Sequence, residues 1–171
     1  MFVEWSCVNS YKTERYGNYM QLSEKQKSLV EDLMSQEELC IQKYSQYTNL
    51  AKDEELKRLF RNIRETEEEH HNSLHHLLEG ECPTVNEHSN AVSNYNPVPT
   101  YVGNFDKKDK EFDQYLCTDS ITTEKYISTA YNDDLFQFGE PEVRKLLNHI
   151  QTEEQNHAEM IYKYKTVNSM T

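Results

Sequence analysis

The sequence is short of the residues that break or bend helices: its 171 residues include only 4 glycines and 4 prolines. Collagen-like repeats and β-proteins with many tight turns need far more of both. Nor is there an apolar run approaching the 18 or so residues of a membrane span. Basic residues are scarce as well, with 18 Lys and Arg against 30 Asp and Glu, a formal net charge of -12. A surface of that sign repels phosphate backbones and anionic lipid, so neither nucleic acid nor a membrane is an expected partner. The cysteines, Cys7, Cys40, Cys82 and Cys117, form no CxxC and no close pair. That scatter fits reduced thiols rather than a disulfide framework or a zinc site. The N-terminal segment, with Glu4 and Ser6 inside its apolar patch, lacks the basic and hydrophobic regions of a secretory signal, so cytoplasmic synthesis is expected.

What is abundant is charge interleaved with apolar residues at helical spacing. The length suits one domain with a substantial core. Residues 1–22 are aromatic and aperiodic (Trp5, Tyr11, Tyr16, Tyr19) and read as an N-terminal arm. Ser23 and Gln26 make a capping-box pattern, and a stripe follows to about Ala51 through Val30, Leu33, Glu37, Cys40, Ile41, Tyr44 and Tyr47. Asp53 is the expected N-cap of a second helix, striped by Leu56, Leu59, Phe60, Ile63, Glu67, His70, Leu74 and Leu77 and stopped by Gly80. Pro83, Pro97, Pro99 and Gly103 mark residues 80–107 as a strap. A third stripe runs from about Lys108 to Phe138 through Leu116, Cys117, Ile121, Glu124, Ile127, Tyr131 and Leu135. Gly139 and Pro141 then punctuate the turn into a fourth, through Val143, Leu146, Leu147, Ile150, Glu154, His157, Ile161 and Tyr164. The expected fold is all-α, an antiparallel four-helix bundle over residues 23–167 with a short tail at 168–171. It is built from two helical hairpins joined by one long crossover, the ferritin-like arrangement. Such helices are roughly 40 Å long, a strap of this size can run the full length of the bundle, and the third helix is expected parallel to the first.

The two hairpins repeat each other without a gap at an offset of 87 residues: Glu37 falls on Glu124, Tyr44 on Tyr131, Ile63 on Ile150, Glu67 on Glu154 and His70 on His157. A lone Glu followed 30 residues later by Glu-x-x-His thus occurs twice. In an antiparallel hairpin, residues equidistant from the turn share a level. Glu37 and Glu67 are each 15 positions from Lys52, and Glu124 and Glu154 each 15 from Gly139. All four carboxylates should therefore converge at one height, with each His beside its Glu on the same face. They occupy stripe positions where Leu or Ile would otherwise sit. Carboxylates crowded in an apolar core need protons or cations to coexist. Glu37, Glu67, His70, Glu124, Glu154 and His157 are accordingly the candidate metal ligands and catalytic centre. Two divalent ions would balance the four charges, and the mixed oxygen and nitrogen set suits Fe or Mn, with zinc and cobalt left open by spacing alone.

Other residues have plainer readings. Glu68 and His71 fall on Gln155 and Ala158 in the repeat and are expected to face outward, while His75, His76, His88 and His149 lack counterparts and are assigned to the surface. Tyr44 and Tyr131, two turns beyond the lone Glu of their helices, are expected to be buried, either as core aromatics or as hydroxyl donors that orient a ligand carboxylate. Cys40 is three residues from Glu37, but its counterpart is Ile127, which favours packing. Asp32 and Asp119 are candidates to accept the outer N–H of a ligand His.

Over residues 24–166 the sequence resembles the ferritin-like superfamily, in its rubrerythrin-like branch, and is most similar to the spore coat protein F type. The resemblance is carried by Ser35 to Leu39 (SQEEL), Thr123 to Tyr126 (TEKY), Pro141 to Ile150 (PEVRKLLNHI) and Glu153 to His157 (EEQNH). It implies a metal pair reacting with O2 or H2O2, as in ferroxidases, rubrerythrin-type peroxidases and manganese catalases. Rubrerythrins also carry a four-cysteine iron site, which these scattered cysteines do not supply, so an electron donor would be a separate protein. Where they carry a further carboxylate one turn after the third-helix Glu, this chain has Ile127, which argues against peroxidase chemistry of that type. Two functions follow as expectations: a dimetal oxidoreductase associated with sporulation, or a structural spore coat component whose metal site only stabilises the fold. In the second, the 12 tyrosines serve contacts with other coat proteins or oxidative cross-linking. Homodimerisation is compatible with either.

Overall fold

In the computed structural model, the structure describes residues 20–85 and 91–170. The arm up to residue 19 with Cys7, residues 86–90 with His88, and residue 171 lie outside the described residues. Four long helices make a bundle: α1 (Glu24–Leu50), α2 (Glu54–Leu78), α3 (Lys107–Asp134) and α4 (Pro141–Val167). No strand occurs among the described residues.

Three of the four helices begin where a side chain supplies a partner for orphaned N–H groups, and the fourth begins at a proline, which has no N–H to orphan. Ser23 Oγ accepts from Gln26 N at 3.3 Å while Gln26 Oε1 accepts from Ser23 N at 2.9 Å, the reciprocal capping box. Asp53 caps α2 by accepting from Glu55 N, Asp106 caps α3 by accepting from Lys108 N, and Pro141 opens α4. The chain leaves α2 at Gly80, whose φ of 89° places it in the left-handed region that favours glycine. Its carbonyl accepts from Met20 N, so the end of α2 lies beside the start of α1.

The strap corrects one expectation. It does run from end to end of the bundle, but a full-length return delivers the chain to the end where α1 finishes, so α3 runs against α1 rather than parallel to it. Two sets of contacts fix this. Asp113, near the start of α3, accepts from the backbone N–H of Lys52 and Asp53, just past the end of α1. At the opposite end, Lys25 and Gln26 of α1 donate to Gln137, just past α3. The strap is also less featureless than its composition suggests. Ala91–Asn94 form one helical turn, with Val92 packed on the core and its carbonyl accepting from Lys163 Nζ.

The turn between α3 and α4 differs as well. The α-helix ends at Asp134 and tightens into a 3₁₀ turn, Leu135–Gln137, which brings Leu135 and Phe138, three residues apart, onto one inward-facing side. Gly139 has open space where a Cβ would stand and no left-handed φ, so glycine is not required there. Arg144 closes the turn instead, donating to the Phe138 and Gly139 carbonyls.

Below the cluster of charged residues, a polar knot fastens strap to bundle. Buried Asp113 also accepts from Tyr101 OH at 2.6 Å, Tyr164 OH donates to Asp53, and Asn168 Oδ1 accepts from the backbone of Thr100 and Tyr101. Asn168 and Met170 are themselves buried. Replacing Asp113 by Ala orphans two turn N–H groups and a half-buried phenol, and should destabilise the bundle by about 3 kcal/mol. Thermal unfolding should then fall by about 10 °C; an unchanged melting temperature would show that the knot is incidental.

Candidate metal centre

Away from the knot around Asp113 the core is mostly apolar on either side of one charged layer. Glu37 of α1, Glu67 of α2, Glu124 of α3 and Glu154 of α4 are all 0 % exposed, and His70 and His157 are 2 % exposed. Each residue continues an inward stripe, so the packing that buries Leu33, Ile63, Leu116 and Ile150 drags the charged groups in with them.

These residues meet as two groups of four, in each of which one donor atom per residue lies within 4.8 Å of the others. The first comprises Glu37, Glu67, His70 and Glu154; the second Glu67, Glu124, Glu154 and His157. Glu67 and Glu154, the carboxylates of the two Glu-x-x-His pairs, belong to both. The imidazoles approach through Nδ1: that of His70 is 3.1 Å from Glu154 and 3.2 Å from Glu67, and that of His157 is 3.2 Å from Glu67 and 3.4 Å from Glu124. The two rings stand 5.9 Å apart, stacked, as the internal repeat requires.

Hydrogen bonding leaves this layer unfinished. Among the described residues, Glu37 Oε2, Glu67 Oε1, Glu124 Oε2, both carboxylate oxygens of Glu154 and His157 Nδ1 are buried without a hydrogen-bond partner. Buried polar atoms in folded proteins are nearly always satisfied. Of the eleven such side-chain atoms among the described residues, six lie on this one layer, and five of those are carboxylate oxygens, four of them with an imidazole nitrogen 3.1–3.7 Å away. A pair of divalent cations is the group whose charge and coordination fit that donor set.

Without cations, protons carry the compensation. Burial pushes the Glu37 carboxyl up to about 7, reinforced by Glu67. Glu154 is raised well above its ordinary range by burial and then by Glu67 and Glu124. Burial would raise Glu67 too, but His157 and His70 outweigh it and hold the carboxyl well below the usual range. Burial would lower the imidazoles, yet the surrounding carboxylates raise both, His157 to about 9 and His70 well above its usual value.

The surroundings reveal two crossed hydrogen bonds. Tyr44 of α1 donates to Glu124 of α3, and Tyr131 of α3 donates to Glu37 of α1. Each tyrosine lies two turns beyond the charged layer, but helical side chains lean toward the N-terminus, which carries both hydroxyls back to it. Both rings are fully buried, and burial together with the carboxylates keeps the phenols protonated as donors.

The outer nitrogen of His70 corrects another expectation. It contacts Glu153, 2.9 Å away, rather than either aspartate. Asp119 is engaged by Lys43 at 2.6 Å and Tyr47 at 2.7 Å on the bundle surface, and Asp32 is exposed. Sequence reasoning missed Glu153 because its repeat counterpart, Thr66, is no carboxylate; its one signal was adjacency to Glu154. His149, assigned to the surface, is half-buried with Nε2 3.3 Å from the same Glu153 oxygen. His75 and His76 are exposed, as is Glu68, while His71 is half-buried. Cys40 sits in the apolar core, and burial, then the negative charge of Glu67, Glu124, Glu154 and Glu37, drives its thiol far from ionising. Cys82 and Cys117 are free thiols too.

Residues 113–168 match the family model of the Coat F domain. The match supports the likeness to the spore coat F type and spans α3 from Asp113 together with α4, and so includes Glu124, Glu154 and His157; α1 and α2, with the other half of the layer, lie outside it. No curated protein matches the chain.

The pKa directions give a pH dependence. Glu37, Glu154, His70 and His157 all hold protons more tightly folded than unfolded, so the stability they contribute is complete at low pH and lost as pH rises through their folded values. Glu67 works in the opposite sense, but its contribution is lost only as pH falls below its ordinary range. The metal-free protein should therefore lose stability between about pH 5 and about pH 9. Melting curves in chelator across that range test this, and a flat or rising profile would contradict the charged layer.

Proposed function

We propose that this protein is a spore coat component built on a ferritin-like bundle, and that its buried layer holds two divalent cations, iron or manganese. In this reading one ion would be held among Glu37, Glu67, His70 and Glu154 and the other among Glu67, Glu124, Glu154 and His157. The observation that carries the metal half is the convergence of unsatisfied buried oxygens from all four helices on one layer. The Coat F match over α3 and α4 supports the coat half. So does the placement of exposed aromatics: among the described residues, Tyr115, Tyr126, Phe136 and Tyr162 are the exposed large ones, and all four lie in the matched segment. Aromatic side chains on an outer face are what contacts with other coat proteins favour. No helix among the described residues is long and apolar enough to cross a membrane, in keeping with a protein layer as its location.

Tyr131 and Tyr44 act in this reading by fixing Glu37 and Glu124, each leaving one carboxylate oxygen aimed at the centre. Glu153 accepts the hydrogen bond of the N–H on the outer nitrogen of His70 and thereby leaves the Nδ1 lone pair to face inward. Reconstitution with Mn2+ should load two ions per chain and raise the melting temperature, and the gain should grow with pH as bound protons are displaced. Glu153→Gln should weaken metal binding about 10- to 100-fold without unfolding the bundle; equal affinity would remove Glu153 from the site.

A second reading, an oxidoreductase acting on O2 or H2O2 with a separate electron-donor protein, is favoured by the donor set itself. Carboxylate and imidazole donors of this kind would hold Fe or Mn, and such ions would supply redox chemistry toward dioxygen or peroxide. The readings separate in a Glu67→Ala, Glu154→Ala double variant. If it loses metal yet still assembles into coats, the site serves the fold. If coats assemble only with the centre intact and the loaded protein consumes peroxide or oxidises Fe(II), the chemistry is the function.

A further inference from the structure

The two hairpins bury equivalent positions but differ in what fills the gap between their helices. Between α3 and α4 a surface cavity of about 390 Å³ is lined by Lys125, Ser128, Thr129, Gln155 and Ala158, and Glu124 and Glu154 line it too. Both carboxylates are fully buried, so they form its floor. At the equivalent places of the first hairpin the repeat puts Ile41 for Ser128, Gln42 for Thr129 and His71 for Ala158, each larger. A surface cavity between α1 and α2 lies further toward the start of α1, lined by Met34, Ser35, Glu38 and His71 among others, and includes neither Glu37 nor Glu67.

The floor of the second-hairpin cavity is where ligands are wanted. Both oxygens of Glu154 and Oε2 of Glu124 are among the buried atoms without a hydrogen-bond partner. The mouth is bridged by Gln155 Nε2, which donates to Ser128 Oγ at 3.3 Å on the exposed side. A long neutral hydrogen bond between exposed side chains exchanges readily with water. An ion cannot reach a fully buried layer without some part of the bundle moving, and a flexible amide at this mouth is a small part to move.

We propose that the cleft between α3 and α4 is the port through which divalent cations reach the four carboxylates, with Gln155 as its movable cover and Ala158 as the small residue that leaves it open. This rests on the metal reading above.

Stopped-flow uptake of Co2+ by the full chain, followed by its visible absorption, tests the port. Ala158→Phe and Ser128→Leu fill the cleft from opposite helices, and each should slow uptake about tenfold or more while final stoichiometry and spectrum stay those of the wild type. His71→Phe, on the first hairpin, should leave the rate unchanged. Uptake at the wild-type rate in both cleft variants, or equal slowing by His71→Phe, would overturn the port while leaving the metal centre standing. A wild-type protein that takes up no Co2+ would instead overturn the metal reading and the port with it. Should Ala158→Phe unfold the bundle, as far-UV circular dichroism would reveal, Ser128→Leu carries the test.

Discussion

Burying a carboxylate costs several kcal/mol even after a protein relaxes around it, and this bundle buries Glu37, Glu67, Glu124 and Glu154 completely, at one level. Their mutual repulsion is opposed by the apolar layers on either side. Each fully buried Leu or Ile there contributes about 2 kcal/mol, enough in sum to hold the helices together but not to make the charges comfortable. What reduces the cost locally is a set of specific partners: two crossed tyrosine hydroxyls, two imidazoles, and protons on Glu37 and Glu154. Five of the layer's oxygens still make no hydrogen bond, and for four of them an imidazole is the partner at hand.

The internal repeat makes this layer nearly two-fold symmetric, and the departures from symmetry lie just outside it. Glu153 backs His70, whereas Thr66 stands at the equivalent place beside His157 and turns its hydroxyl to the Asn62 carbonyl. Ala158 and Ser128 leave a cleft over Glu124 and Glu154, whereas His71 and Ile41 occupy the corresponding positions over Glu37 and Glu67. A duplicated hairpin explains why the inner residues agree. The outer ones were free to diverge, and their divergence gives the two ends of the centre different surroundings.

Much of this was legible in the sequence because it depends on period and spacing. Ser23, Asp53 and Pro141 open helices where their chemistry says they should, and equidistance from the turns brings the four Glu together whatever the turn conformation. The direction of α3 was not read correctly, because it depends on where a full-length strap delivers the chain rather than on any local signal. Gly139 looked like the stop of α3, yet the helix had already tightened at Leu135, and Arg144 rather than glycine geometry closes the turn. Asp113 and Glu153 escaped notice for a shared reason: each is a charged residue whose partner is distant in sequence, the Lys52–Asp53 backbone for one and His70 for the other. Periodicity finds faces, not partners.

The central claim, that cations rather than protons complete the layer in the working protein, is tested most directly by anomalous diffraction from crystals grown with Mn2+. Two peaks inside the bundle are predicted, one bounded by Glu37, Glu67, His70 and Glu154 and the other by Glu67, Glu124, Glu154 and His157. Crystals with no interior peak, or with Mn2+ only among the exposed acidic residues, would contradict it.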